Sequence, residues 1–415
     1  MTSPRNLAID GDRLWASIMA VAEIGATAKG GSRRLALTDL DREARDLFVG
    51  WCRAAGCTVT VDRMGNIFAR RAGRNDALDP VVTGSHLDTQ PTGGRFDGVY
   101  GVLAGLELVR SLNDLSIETE RPLEVVCWTN EEGSRFAPSM VASGVFAGKF
   151  ALDDALAKSD PDGLTIGGEL ARIGYAGDAP VGGRKLHAYF EAHIEQGPIL
   201  EAGGETIGIV TGGQGQRWYE VTLTGVESHA GPTPMDRRRD ALLGAARIVE
   251  LVNRIGLDRA PLACATVGVL ENYPNSRNVI PGRVFLTVDL RHPDDAVLTA
   301  MDAALRARIA AIAGGSGLAT AIEEVLYSPP VAFDPTCVDA VRRAAAAHGF
   351  RARDIVSGAG HDACNIAAVA PAAMIFIPCI GGISHNEIED AKPEWVTAGA
   401  QVLLDAVLDA AGTTR

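Results

Sequence analysis

Thiols, aromatic rings, positive charge and long apolar runs are all scarce in this 415-residue chain. Its seven cysteines (Cys52, Cys57, Cys127, Cys264, Cys337, Cys364, Cys379) are odd in number and form no CxxC pair, which excludes a disulfide framework and a thiolate zinc site. A reducing, cytoplasmic setting fits that usage. With 39 Lys+Arg against 52 Asp+Glu, the net charge of -13 leaves no electrostatic footprint for nucleic acid or an anionic membrane. The densest basic run, Arg237-Arg238-Arg239, lies between Asp236 and Asp240 and reads as a solvated helix start. No apolar stretch approaches the roughly 20 residues that span a bilayer, and Met1 to Asp10 lacks the basic-then-apolar layout of a secretion signal. The longest candidate, Ala367 to Ile380, is broken by Pro371 and Pro378 and reads as a buried strand. Only 5% of residues are aromatic, yet 47% are hydrophobic and 22% charged, the profile of a globular protein large enough for about two to three domains.

Apolar residues at helical spacing from Thr38 to Gly56 lead into two alternating runs, Thr58 to Val61 and Ile67 to Arg70, flanking Met64-Gly65-Asn66: a helix and a hairpin. Three strongly apolar runs follow, Pro80 to Val82, Leu123 to Trp128 and Met374 to Ile377, separated by helical patterns such as Val99 to Leu112. They read as central strands of an α/β sheet, whose ligands gather beyond the carboxyl ends of its strands. The middle of the chain has another rhythm. After the Gly-rich Thr211 to Gly215 come a strand (Trp218 to Thr224), a helix (Asp240 to Ile255), two strands (Ala265 to Leu270, Val284 to Leu290), a helix (Asp294 to Ile312) and a strand (Ala319 to Leu326). This βαββαβ order predicts a ferredoxin-like α+β domain inserted into the larger one, with Tyr327-Ser328-Pro329-Pro330 as the returning hinge. The expected division is 1–212 and 329–415 for the large domain and 213–328 for the insert.

Five of the eight histidines, His86, His193, His229, His361 and His385, sit beside glycines or acids in what read as loops after apolar runs; His187, His292 and His348 lack such company. His86-Leu87-Asp88 places a carboxylate where it can hold the second ring nitrogen while the first binds metal. Asp97, at the start of a predicted helix, could bridge two cations. Adjacent Glu131 and Glu132 at a strand end would repel unless one coordinates a cation and the other exchanges protons. His193 and His385 add nitrogen ligands. A nitrogen and oxygen set without thiolate suits Zn²⁺, Mn²⁺, Co²⁺ or Ni²⁺ alike.

The segments Gly84-Ser85-His86-Leu87-Asp88-Thr89, Gly93-Gly94-Arg95-Phe96-Asp97-Gly98, Asn130-Glu131-Glu132-Gly133-Ser134-Arg135-Phe136, His193-Ile194-Glu195-Gln196-Gly197 and Gly225-Val226-Glu227-Ser228-His229-Ala230-Gly231 together resemble the dinuclear metal amidohydrolases of the hydantoinase/carbamoylase type, relatives of the aminoacylase-like metallopeptidases. The resemblance runs from about Gly84 to the C-terminal helix. It implies a metallopeptidase-like α/β catalytic domain with a lid and dimerisation domain inserted, and two divalent ions per subunit. His86, Asp97 and His193 would hold one ion and Asp97, Glu132 and His385 the other. Glu131 would be the general base, Asp88 the support behind the metal-binding His86, and His229 the oxyanion stabiliser, often serving the neighbouring subunit of a homodimer. Arg291 and Asn278 would take the substrate carboxylate, a role suited to the planar guanidinium fork. Gln196, Gly360 and His361 would line the substrate.

The implied reaction is hydrolysis of the carbamoyl C–N bond of a small, carboxylate-bearing ureido substrate, an N-carbamoyl-L-amino acid or N-carbamoyl-β-alanine, to amino acid, ammonia and carbon dioxide. An allantoate amidohydrolase is the alternative; an N-acyl amino acid hydrolase or dipeptidase is more distant. Two readings of other classes fare worse. A structural metal site has no use for a free acid beside a ligand, as Glu131 is beside Glu132. For a thiol amidase, Cys127 lies within an apolar strand, and packing is the expected role of Cys364 and Cys379 as well. The glycine- and proline-rich hinges suggest an insert that closes on substrate.

Overall fold

The computed structural model describes residues 7 to 414, so Met1 to Asn6 of the N-terminal stretch considered above lie outside it. The chain divides into two compact units, one made of the residues up to Gly212 with those from Ala332 onward, the other Gly213–Val331.

The large unit is built on a nine-stranded mixed sheet. At its centre Val81–His86 pairs in parallel with Leu123–Trp128 on one side and Ala188–Ile194 on the other, and Ala372–Ile377 continues parallel to Ala188–Ile194. Every side chain of these four strands is buried. A parallel strand is covered on both faces, which accounts for the apolar residues that dominate Leu123–Trp128 and Ala372–Ile377, whereas Val81–His86 and Ala188–Ile194 also bury Thr83, Ser85, His86, Glu191 and His193. The hairpin Thr58–Val61 with Ile67–Arg71 extends the sheet antiparallel to Leu123–Trp128, and Ile207–Gly213 pairs antiparallel to Ala372–Ile377. Ala188–Ile194 is a central strand that periodicity did not single out. Helix Val99–Asp114, buried along most of its length, packs on this sheet beside Pro393–Ala411, with the Tyr100 hydroxyl donating to the Val396 carbonyl. The buried Glu107 of that helix takes both arms of Arg13 from Gly11–Ala22, at 2.9 and 2.7 Å. Among the described residues no helix is long and apolar enough to cross a membrane.

The inserted unit is an antiparallel sheet ordered Cys264–Thr266, Arg283–His292, Gly215–Thr224, Ala319–Ser328, with helices Ala241–Leu257 and Asp295–Ser316. Asp240 and Asp294 cap those helices, each accepting two first-turn backbone N–H groups. Along Arg283–His292 every second side chain is buried. Val284, Leu286, Val288 and Leu290 thereby meet Ile248, Leu251, Leu298, Met301 and Leu305 in one core. Full burial of each such side chain is worth roughly 1.5–3 kcal/mol relative to exposure.

Three expectations need correction. The strand expected over Ala265 to Leu270 is two pieces, Cys264–Thr266 and Leu270–Tyr273, both paired to Arg283–His292. Thr266 faces Asp289 while Leu270 faces Leu286, so one side carries an extra residue, a β-bulge at which the Val269 N–H turns to the Thr287 hydroxyl. The arginine run is not a helix start: Met235–Arg237 is a 3-10 turn, and Arg238 donates to the carbonyls of Ala230 and Thr233, bracing the loop after His229. His86 and His193 are not in loops; they occupy the last and the next-to-last positions of their strands.

Candidate active site

Parallel strands deliver their carboxyl ends to one edge of the sheet, and there the large unit gathers its ionisable side chains. His86 and His193 arrive on strand ends. Asn130, Glu131 and Glu132 follow Leu123–Trp128, and His385 follows Ala372–Ile377 after a 3-10 turn at Ile380–Gly382. Asp97 comes from the turn into helix Val99–Asp114. Gly98 makes that turn possible: it is in the left-handed region at φ 67°, and a Cβ on it would overlap the His86 ring.

The result is two groups sharing one residue. The ligand atoms of His86, Asp97 and His193 lie within 4.8 Å of one another, as do those of Asp97, Glu132 and His385. Asp97 turns one oxygen to each group: Oδ1 is 3.2 Å from His193 Nε2 and 3.6 Å from His86 Nε2, whereas Oδ2 is 3.3 Å from His385 Nε2. His385 Nε2 is also 3.4 Å from Glu132. Backbone carbonyls orient both strand histidines. His86 Nδ1 donates to the Asp88 carbonyl at 2.8 Å and His193 Nδ1 to the Ile194 carbonyl at 2.9 Å, which turns each Nε2 to the centre, where that of His193 accepts the Gly98 N–H at 3.1 Å. The Asp88 carboxylate therefore does something other than expected. It stands 3.9 Å from His86 and accepts the backbone N–H groups of Glu131 and Glu132, both at 3.2 Å, so it shapes the turn carrying the two acids.

Burial and crowding perturb every group here. Burial opposes a charge on Asp97, but the imidazoles of His193, His385 and His86 outweigh it and hold its carboxyl well below the usual range. Burial, with Asp362, Glu132 and Asp88 adding against the pull of His86, pushes Glu131 well up. Burial and Asp97 push Glu132 up to about 7. Asp97 and Glu132 raise His385 to about 9 despite partial burial. A protein that buries acids and imidazoles this closely must neutralise them with protons or with cations. Three imidazole nitrogens and two carboxylates, one reaching both groups, match the donor set of a divalent-ion pair, and the residues fit such a pair.

Other expected residues are distributed as follows. Gln196 lies at the centre, its Nε2 donating to Asp97 Oδ2 at 2.9 Å and to the Ser384 hydroxyl at 3.2 Å. His361 is buried with its ring 4.5 Å from that of His193; burial and His193 hold it well below the ordinary value, hence neutral. Gly360 packs on Met140, where a Cβ would crowd the thioether. His229, Asn278 and Arg291 belong to the inserted unit. His229 pairs with Val279 in a two-residue ladder, and the Asn278 carbonyl accepts the Ala230 N–H, which puts His229 and Asn278 side by side. Arg291 sets its guanidinium on Asp289, two residues back on the same strand face, at 2.8 Å.

Sequence reasoning missed three supports. Gln90 donates to Glu132 at 2.6 Å. Ser384 and Glu389 bind one another at 2.7 Å beside Asp97. Glu389 sits in the acidic run after His385, which looks like a hydrophilic loop; only its 1% exposure separates it from its neighbours.

Residues 82–409 match the model of Peptidase family M20/M25/M40. The chain belongs to this family. It is an amidohydrolase of the hydantoinase/carbamoylase type. It is 53% identical, over 99% of both chains, to the N-carbamoyl-L-amino-acid amidohydrolase of Rhizobium meliloti. It is 36% identical to the allantoate amidohydrolase of Bacillus subtilis, over 93% of this chain and 94% of that one. A solved hydantoinase/carbamoylase-family amidase from Burkholderia multivorans superposes with a TM-score of 0.96 at 69% identity, over 98% of each chain. The amidohydrolase is thus a hydrolase whose candidate metal ligands stand together at the carboxyl edge of the sheet.

Proposed function

We propose that this amidohydrolase hydrolyses the carbamoyl C–N bond of N-carbamoyl-L-amino acids, using two divalent cations held by His86, Asp97 and His193 and by Asp97, Glu132 and His385. The observation that carries the substrate choice is the 53% identity, end to end, with the Rhizobium meliloti enzyme, against 36% with the Bacillus subtilis allantoate amidohydrolase.

A ureido carbonyl is a poor electrophile because two nitrogens donate into it. When bound, the cations supply Lewis acidity, polarising the carbonyl and acidifying a water. Glu131 takes the proton from the attacking water and returns it to the departing nitrogen, a task that suits a carboxyl raised by burial. Asp88 holds the turn that aims Glu131 and Glu132. His361, kept neutral, and Gln196 and Gly360 line the substrate on the large unit. On the inserted unit, His229 stabilises the oxyanion and Arg291 with Asn278 receives the substrate carboxylate. The inserted unit also forms a homodimer, for which sedimentation of the purified protein at twice the chain mass is the check.

The test is a steady-state panel on metal-loaded enzyme: N-carbamoyl-L-amino acids, N-carbamoyl-β-alanine and allantoate. The expected result is kcat/KM at least tenfold higher on an N-carbamoyl-L-amino acid than on allantoate, with all turnover lost to a chelator. A preference for allantoate would reverse the ranking.

A further inference from the structure

Glu389 follows His385 by four residues, yet its carboxylate is directed at the turn that carries Asp97. Oε1 accepts the backbone N–H groups of Phe96 at 3.0 Å and Asp97 at 3.1 Å, and Oε2 accepts the Ser384 hydroxyl at 2.7 Å. Ser384 immediately precedes His385. A serine hydroxyl has one proton to give. Ser384 Oγ is 2.7 Å from Glu389 and 3.3 Å from Asp97 Oδ2, so the proton goes to Glu389 and Asp97 Oδ2 is left for Gln196 and His385. One buried side chain therefore joins the Asp97 turn to the His385 loop.

The loop needs such a tie. His385 has φ 53°, a left-handed conformation uncommon outside glycine, which persists only where the surroundings over-determine it. Its side chain is 51% exposed, so packing does not hold it. Space for the tie is provided on the opposite side: a Cβ on Gly94 would overlap the Glu389 carboxylate.

We propose that Glu389 is a positioning residue of the metal centre: through Ser384 and the amides of Phe96 and Asp97 it sets the spacing between Asp97 and His385, and thereby how tightly the His385 side holds its ion. This rests on the metal-centre reading above. The role calls for acceptor geometry rather than charge. A glutamine keeps a carbonyl oxygen for the two amides and can turn its amide towards Ser384 Oγ, whereas alanine leaves two buried N–H groups without a partner.

The experiment is titration of metal-free wild type, Glu389→Gln, Glu389→Ala and Ser384→Ala with Mn²⁺, reading stoichiometry and affinity, followed by kinetics at limiting and saturating Mn²⁺. Wild type is expected to take two equivalents. Glu389→Ala should hold the second at least tenfold more weakly and Ser384→Ala severalfold more weakly, with Glu389→Gln within about threefold of wild type. Excess Mn²⁺ should return most of the kcat of the alanine variants, with KM changed less than twofold. Wild-type affinity for both equivalents in Ser384→Ala and Glu389→Ala would overturn the proposal and leave the metal-centre reading standing; Ser384→Ala decides alone if Glu389→Ala does not fold. A glutamine variant as impaired as the alanine one would also overturn it, because charge would then be what matters. A wild type that takes up no Mn²⁺ would remove the metal-centre reading itself.

Discussion

His86, Asp97 and His193 are held by groups from distant parts of the chain. The Gly98 N–H reaches His193 Nε2 across 95 residues, and Glu389 reaches the Asp97 amide across 292. In the inserted unit two candidate side chains have local bonds: His229 Nδ1 accepts from the Gly231 N–H and Asn278 Oδ1 from the Ser276 hydroxyl, each two residues away, while Arg291 also grips Asp289 on its own strand. A centre held from many directions keeps its geometry before a substrate arrives, which is what charge stabilisation at a reacting bond needs. Neutral local bonds such as those of His229 and Asn278 are worth about 0.5–1.5 kcal/mol net and can be exchanged for bonds to a ligand. On the function proposed above, the large unit would supply a preformed centre and the inserted unit exchangeable recognition.

The largest effect should come from the preformed side. Glu131→Gln is expected to lower kcat by about 10²–10⁴, the usual contribution of a positioned acid–base group, with metal content unchanged. Near-normal turnover in the purified variant would take the general-base role from Glu131. On the recognition side, Arg291→Lys keeps the charge and loses the fork. It should raise KM by about tenfold or more, for a charge-assisted bond of roughly 1.5–3 kcal/mol, while kcat moves only a few-fold. A loss confined to kcat would place Arg291 with the preformed group and erase the distinction.

The smallest effect concerns protons in the metal-free centre. Glu132 at about 7 and His385 at about 9 both lie above their ordinary values of 4.5 and 6.5, so the folded chain holds these protons more tightly than the unfolded one. Their stabilisation is present at low pH. It is lost as pH rises, for Glu132 between about 4.5 and 7 and for His385 between about 6.5 and 9. The Tm of the metal-free protein should therefore fall from pH 6 to pH 9, and Mn²⁺ affinity should rise over the same range because the ion displaces those protons. A metal-free Tm that climbs with pH would contradict the crowded-centre picture.

What could be read without coordinates was whatever has a short-range signature. Short, strongly apolar runs at Pro80 to Val82, Leu123 to Trp128 and Met374 to Ile377 marked the strands Val81–His86, Leu123–Trp128 and Ala372–Ile377, and the strand-like run Val284 to Leu290 marked Arg283–His292. Ala188–Ile194 escaped notice because His193 and Glu191 interrupt its apolar pattern, although all of its side chains are buried. The bulge at Val269 escaped because the extra residue is a matter of register with another strand.

By itself the sequence determined the family, the two alternating architectures and the identity of the side chains that converge, since motif residues and periodicity are properties of neighbours along the chain. Only the tertiary structure decided that the Asp88 carbonyl rather than its carboxylate orients His86, that Asp97 divides its two oxygens between two groups, and that Glu389 spans from one loop to the other. Those facts depend on directions and distances between groups up to 293 residues apart, which the order of residues does not encode locally and which only the packing of parallel strand ends brings about.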